Sequence, residues 1–129
     1  MDLKRKVWAQ VDALIEDSQT ILASSSSCII PSQISQELKH KDQFMVAHPV
    51  NPPYHAPMVE LVPASWTRPD IRERSRATMK KVGQVPVSLS REVPGFILNR
   101  MQYALLNECF RLILDDVVSG TLCTSSALH

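Results

Sequence analysis

Residues 44–62, FMVAHPVNPPYHAPMVELV, decide how this chain folds, because two short apolar runs flank a connector rich in proline. The runs at 44–47 and 58–62 have the length and composition of buried strands. Prolines stand at 49, 52, 53, 57 and 63. Because proline fixes φ and lacks an N–H group, the connector can be neither a central strand nor a helix. We therefore expect a rigid, ordered loop between two strands.

Signals on both sides of this stretch complete an alternation of helices and strands. Upstream we expect a helix that ends at 16–19 and has an apolar face made of Val7, Trp8, Val11, Leu14 and Ile15. We then expect a strand at 21–23 that runs into four serines, and a short helix at 31–38. Downstream we expect a polar helix over 70–82, whose inward residues are Ile71, Thr78, Met79 and Val82. A strand over 85–89 follows, with Val85, Val87 and Leu89 on one face, and then a long helix of about 97–118. This order predicts an α/β fold.

The composition excludes several classes of site. The formal net charge is +1, so no general field attracts nucleic acid or a membrane. The three glycines stand far apart at 83, 95 and 120, so the chain encodes neither a glycine-rich dinucleotide fingerprint nor a P-loop. Cysteines occur at 28, 109 and 123 without a CxxC pair, so we expect neither a metal site nor a disulfide framework. A reducing cytosol is the expected compartment.

Polar residues at the ends of the predicted strands are the candidates for chemistry. His48 follows one strand and opens the proline-rich loop, Ser27 ends the serine run after another, and Glu60 lies on the strand beyond the loop. Ligands of open α/β sheets collect at the carboxyl ends of strands. A histidine base with a carboxylate to orient it can remove the proton of a hydroxyl group. From the pattern alone, a structural histidine is the commoner alternative.

Four segments in a fixed order resemble one enzyme family: ILASSSSC at 21–28, HPVNPP at 48–53, VELVP at 59–63 and PGFILNR at 94–100. They are similar to the 3-hydroxyacyl-CoA dehydrogenase family, and in particular to its lambda-crystallin/L-gulonate 3-dehydrogenase branch. The step of 12 from His48 to Glu60 matches the family's His–Glu pair. The resemblance implies that 1–93 are the C-terminal part of a Rossmann-type NAD-binding domain. It also implies that 94–118 form the first long helix of an all-α domain.

The resemblance also implies an activity and a set of roles. Family members oxidise a secondary hydroxyl to a ketone with NAD, acting on a 3-hydroxyacyl-CoA or a small 3-hydroxy acid such as L-gulonate. By resemblance, the catalytic residues are His48 as general base, Glu60 as its carboxylate partner, Ser27 as a bond to the substrate, and Asn99 facing the substrate oxygen. The cofactor-binding residues are Ser27 again, Asn51 near the nicotinamide, and Lys4.

Each of these residues has a structural alternative. Ser27 could cap a turn and Asn99 could cap a helix. His40 and His55 are expected at the surface, and His129 at a mobile terminus. The basic helix at 68–81 could contact a CoA phosphate, but a solvated helix face is the simpler interpretation.

Both ends of the chain depart from the family pattern. The glycine-rich unit that binds the cofactor phosphates precedes this region in the family and is missing here, and 119–129 resemble no family helix and are expected to be disordered. We therefore expect a middle piece of the family's enzyme that is weakly active or inactive alone. The alternative is a non-catalytic protein that associates through the helix at 97–118 with a second copy or with a full-length relative. We expect no nucleic-acid or membrane partner.

Overall fold

A computed structural model describes residues 2–120; predictions about Cys123, His129 and the rest of 121–129 lie outside that range. The chain forms two compact units, Met1–Phe96 and Ile97–His129. The first contains, in chain order, α1 (Asp2–Asp12), β1 (Leu22–Ser24), α2 (Pro31–Ser35), a 3-10 turn (Lys41–Gln43), β2 (Phe44–Pro49), β3 (Met58–Pro63), α3 (Pro69–Lys81) and β4 (Val85–Ser88). The second contains α4 (Leu98–Leu114).

The four strands form one mixed sheet in the order β1-β2-β3-β4. β1 runs parallel to β2, β2 antiparallel to β3, and β3 parallel to β4. The predicted α/β class and the predicted order of helices and strands are confirmed. The prolines act as expected, since β2 ends at Pro49 and β3 begins at Met58.

Alternate residues of β2 face two hydrophobic clusters, one on each side of the sheet. Phe44 packs with Leu22, Ile34 and Leu38, and Trp8 of α1 lies against that cluster. Met45 and Ala47 pack with Val59, Leu61 and Ile71 on the α3 side. Because successive strand residues point to opposite faces, His48 shares the face of Phe44. Helices therefore cover both faces of the sheet, as a buried central strand requires.

The helix α1 is shorter than its apolar pattern predicted. It ends at Asp12, and Val7 and Leu14 are exposed, whereas Trp8, Val11 and Ile15 pack on the core as expected. At this end of the helix, the Asp12 carboxylate accepts hydrogen bonds from the backbone N–H groups of Lys39 (2.7 Å) and His40 (2.9 Å). His40 Nδ1 also lies 3.0 Å from Asp12 Oδ1, so the prediction that His40 is exposed was wrong.

Two inward faces were also predicted only in part. On α3, Ile71 is buried and Met79 packs on the core, but Thr78 is exposed and Val82 is 65% exposed. Ser75 is buried instead, because its hydroxyl donates to the carbonyl of Ile71 at 2.7 Å and no longer needs water. On β4, Leu89 is buried just beyond the strand but Val85 is exposed. Pro86 is buried there, which an edge strand tolerates.

The described part of the second unit, residues 97–120, consists mainly of one long helix and the turn at its C-terminal end. Asp116 has φ of 55°, and the N–H of Val117 donates to the carbonyl of Leu112 at 3.0 Å, so α4 ends in a Schellman motif before the predicted residue 118. Many apolar side chains of this helix are exposed: Met101, Tyr103, Leu105, Leu106, Phe110 and Leu114. Across the described range, no helix has the length and hydropathy needed to cross a bilayer.

Candidate active site

His48 and Glu60 form a buried pair at the centre of the sheet. They are register partners in the antiparallel β2–β3 pair, so their side chains rise from the same face. His48 Nδ1 lies 2.7 Å from Glu60 Oε2. His48 is 6% exposed and Glu60 is fully buried. A hydrogen bond between such groups is strengthened by the low local dielectric.

The geometry of this pair selects one form of the imidazole. With Glu60 as the acceptor, Nδ1 carries the proton, and Nε2 therefore keeps its lone pair in the neutral ring. Glu60 also stabilises the imidazolium if Nε2 takes up a proton. The arrangement is that of a general base with an orienting carboxylate.

The serine-rich bend leaves the sheet at the end where His48 lies, which is the carboxyl end of β2. β1 is parallel to β2, with Ser24 opposite Val46, so residues 25–27 continue toward the carboxyl end of β2. Ser24 and Ser26 are buried, and the Ser26 hydroxyl accepts the N–H of Ile29 at 3.3 Å. Ser27 is exposed. The topology thus brings the predicted Ser27 to the same end of the sheet as the His–Glu pair.

The loop between β2 and β3 carries Asn51 and is internally bonded. The N–H groups of His55 and Ala56 both donate to the carbonyl of Pro52 at 3.0 Å, and Gln84 Nε2 donates to the carbonyl of Pro53 at 3.2 Å. The Asn51–Pro52 peptide bond is cis. Asn51 and His55 are exposed, the latter as predicted. The loop is ordered by hydrogen bonds within it and by one from Gln84, and the Asn51 side chain is exposed.

The other two predicted site residues lie elsewhere in the chain. Lys4 is exposed on α1 of the first unit. Asn99 lies in the first turn of α4, in the second unit, and is half-buried. Their roles stay predictions.

Arginine side chains of the basic helix at 68–81 bond to other residues of the protein. Arg68, just before α3, donates to Asp70 from Nε at 2.9 Å and lies 3.3 Å from Asp42. The bonds to Asp70 raise the pKa of Arg68 and lower that of Asp70. Further along, Arg74 reaches Gln19 at 3.3 Å and Arg76 reaches Ser88 at 3.4 Å.

Sequence reasoning missed Phe96, whose ring lies against His48. The ring centroids are 5.6 Å apart and the planes are tilted by 58°. Phe96 is fully buried. The Pro94–Gly95 pair before it is a turn signal that a search for buried aromatic neighbours of the site could have used. Between residues 2 and 120, no group of three or more His, Cys, Asp or Glu side chains is arranged to hold a metal ion.

Comparison with known proteins gives one consistent result. Residues 1–93 match the sequence model described as "3-hydroxyacyl-CoA dehydrogenase, NAD binding domain". The chain is 50% identical to lambda-crystallin of Oryctolagus cuniculus over 119 residues, which cover 92% of this chain and 37% of that protein. It is 34% identical to L-carnitine dehydrogenase of a Pseudomonas species, with the same coverage. The chain therefore spans little more than a third of the curated relatives that it matches.

A solved structure shows the same fold. The crystal structure of 5-formyl-3-hydroxy-2-methylpyridine 4-carboxylic acid 5-dehydrogenase, an NAD+-dependent dismutase, superposes with a TM-score of 0.87. The sequences are 30% identical, and the match covers 96% of this chain and 40% of that one. The predicted Rossmann-type fold is confirmed by this likeness.

Proposed function

The chain belongs to the 3-hydroxyacyl-CoA dehydrogenase family, and we propose that it carries the proton-transfer site of an NAD-dependent oxidoreductase that converts the 3-hydroxyl of a small hydroxy acid into a ketone. The family resemblance expected from the four sequence segments is confirmed by these matches. The single observation that best supports the proposal is the buried 2.7 Å contact between His48 Nδ1 and Glu60 Oε2.

In this proposal His48 acts as the general base. Its Nε2 accepts the proton of the substrate hydroxyl, because Nδ1 is already committed to Glu60. The positive charge that forms on the ring is stabilised by the adjacent carboxylate in a site that excludes most water. A positioned base of this kind contributes about 10²–10⁴-fold to the rate.

The residues at this end of the sheet fit the nicotinamide riboside half of the cofactor. Exposed hydroxyl and amide groups, on Ser27 and Asn51, have the donor and acceptor chemistry that ribose hydroxyls and a carboxamide require. When bound, NAD supplies the acceptor for the hydride that leaves the carbinol carbon. The three glycines at 83, 95 and 120 do not form a phosphate-binding loop, so we assign to this chain only the contacts to the nicotinamide riboside, with Lys4 as a further candidate.

The family acts on small-molecule substrates, and we propose a small hydroxy acid resembling L-gulonate for this chain. Identity to lambda-crystallin is 50%, and one dehydrogenase relative is named for L-carnitine. A 3-hydroxyacyl-CoA is the alternative substrate.

A chimera tests the proposal. Residues of this chain replace the matched 119 residues of the rabbit lambda-crystallin, and NADH formation is followed by absorbance with L-gulonate or 3-hydroxybutyryl-CoA. We expect NADH with L-gulonate, and loss of about 10²-fold or more of the rate in the His48→Gln chimera. Full activity of that variant would remove the base assignment, and turnover of the CoA ester alone would reverse the substrate proposal. The 129-residue chain, assayed alongside, measures what these residues do alone.

The exposed apolar surface of α4 favours a second candidate function, self-association of this chain. Phe110 and Leu105 are both more than half exposed, on a helix that buries none of its residues. A net charge of +1 offers little electrostatic repulsion between copies. Light scattering coupled to size-exclusion chromatography measures the mass; we expect a dimer or larger species that Phe110→Glu converts to monomer. A monomeric parent chain would contradict this candidate.

A further inference from the structure

The irregular segment 89–96 follows β4 and carries the ring that lies against His48. At its start, the N–H of Leu89 donates to the carbonyl of Leu61 at 2.9 Å. Leu61 is the neighbour of Glu60 on β3, so the segment is attached to the strand that supplies the carboxylate. We refer to residues 89–96 as the Phe96 arm.

A tight turn at the end of the arm aims the ring inward. The N–H of Phe96 donates to the carbonyl of Val93 at 3.1 Å, with Pro94 second in the turn and Gly95 third at φ of 75°. Pro followed by a residue of positive φ is the pattern of a type II turn. Phe96 itself has φ of 49°. A bulky residue keeps such a conformation only when its surroundings over-determine it.

The ring of Phe96 adds a restraint to the one that Glu60 supplies. The imidazole is attached to the backbone through its Cβ–Cγ bond, and rotation about that bond would turn Nδ1 away from Oε2 and redirect Nε2. Contact with a second, fully buried ring at 5.6 Å limits that rotation. The direction of Nε2, the atom that must meet the substrate proton, then depends on Phe96.

The arm has a second anchor far along the chain. Glu92 Oε2 accepts the backbone N–H of Ser32 at 2.9 Å, across 60 residues of sequence. Ser32 is the second residue of α2, which follows the serine-rich bend. Glu92 thus ties the arm to the segment that places Ser27 at the site edge.

We propose that Phe96 is a positioning residue for His48 and that Glu92 holds the arm in the geometry that makes this possible. The importance of the direction of Nε2 rests on the proposed role of His48 as base. A displacement of about 1 Å in a reacting group can cost about 10²-fold in rate, so a loosened ring lowers kcat more than it raises KM.

The experiment measures the tautomer of His48 directly in the 129-residue chain, by long-range proton–nitrogen NMR at a pH where the imidazole is neutral. His48→Gln identifies its signals. In the parent chain we expect one tautomer, protonated at Nδ1. In Phe96→Leu we expect a mixture of both tautomers, and in Phe96→Tyr, which keeps the ring, a return toward one. Phe44→Leu is the matched control, because Phe44 is equally buried but packs its ring on Trp8.

Each outcome decides the proposal. Coincident His48 signals in the parent chain and in folded Phe96→Leu overturn it, as does an equal change in Phe44→Leu. If Phe96→Leu does not fold, the Glu92→Ala variant tests the arm. A shift toward mixed tautomers in Glu92→Ala, together with unchanged signals in Arg91→Ala, which alters the exposed neighbouring residue, supports the proposal. Glu92→Ala signals identical to those of the parent chain overturn it. In the chimera, Phe96→Leu should lower kcat with KM nearly constant. A chimera without turnover contradicts the proposed function but leaves the NMR result standing.

Discussion

His48 and Glu60 are direct cross-strand partners on one face of the β2–β3 pair, and their side chains meet at 2.7 Å in the buried centre of the sheet. The 12-residue separation along the chain becomes a direct contact because the proline-rich loop reverses the chain between two antiparallel strands.

Replacement of Glu60 by Gln in the chimera should lower kcat by about 10²-fold or more, because an amide neither fixes the Nδ1-protonated tautomer nor stabilises the imidazolium. The measurement is the initial rate of NADH formation at saturating substrate. Glu16→Gln, an exposed carboxylate on the same unit, is the control and should leave the rate unchanged. A Glu60→Gln chimera with the parent rate would show that the pair is structural.

Removal of the Asp12 charge should destabilise the first unit at neutral pH. Burial by itself raises the pKa of Asp12, but the backbone N–H groups of His40 and Lys39, together with the His40 side chain, outweigh burial and hold this pKa below 3.8. We expect Asp12→Asn to lower the free energy of unfolding by about 1–3 kcal/mol in urea titrations, since it removes hydrogen bonds to a charged group.

The pH dependence of that difference has a defined sign. Because the folded-state pKa of Asp12 is lowered, its contribution is fully present above about pH 3.8 and is lost as the pH falls through the lower folded-state value. Unfolding free energies of the parent and Asp12→Asn should therefore converge below that pH. A gap that stays constant into strong acid would contradict the assignment.

Truncation of Ile71 should be far more costly than truncation of Val82, although both belong to the predicted apolar face of α3 and its end. Ile71 is fully buried against the sheet, whereas Val82 is 65% exposed. We expect Ile71→Ala to lower the free energy of unfolding by about 2–5 kcal/mol, and Val82→Ala to change it by less than about 0.5 kcal/mol. Similar costs for the two variants would show that the helix packs by a different face.

Glycine is required at 83 but not at 120. Gly83 has φ of 81° just after α3, and the space that an alanine methyl group would occupy is open, so only the backbone conformation resists alanine. We expect Gly83→Ala to cost about 1–2 kcal/mol of unfolding free energy. Among the described residues, a methyl group at position 120 would be in ordinary contact with Ile113, so Gly120→Ala should be nearly neutral. Differential scanning calorimetry of both variants gives the comparison, and an unchanged melting temperature for Gly83→Ala would refute it.

Local chemistry in the sequence determined the elements, and the family resemblance indicated the central pair. The prolines from 49 to 63 bounded a loop, alternating helix and strand patterns predicted the α/β order, and the spacing of His48 and Glu60 indicated a family pair. The elements could be predicted because they depend on neighbouring residues, whose backbone preferences and periodicity are written in the chain itself.

Only the tertiary structure decided which groups meet across long separations. At the end of α1, Asp12 binds backbone groups of residues 39 and 40, and Phe96 reaches the ring of His48. A carboxylate or a ring has no intrinsic preference for such a partner. Each contact arises because the sheet and helices bring distant residues together and burial then makes an unsatisfied polar group or an exposed ring costly.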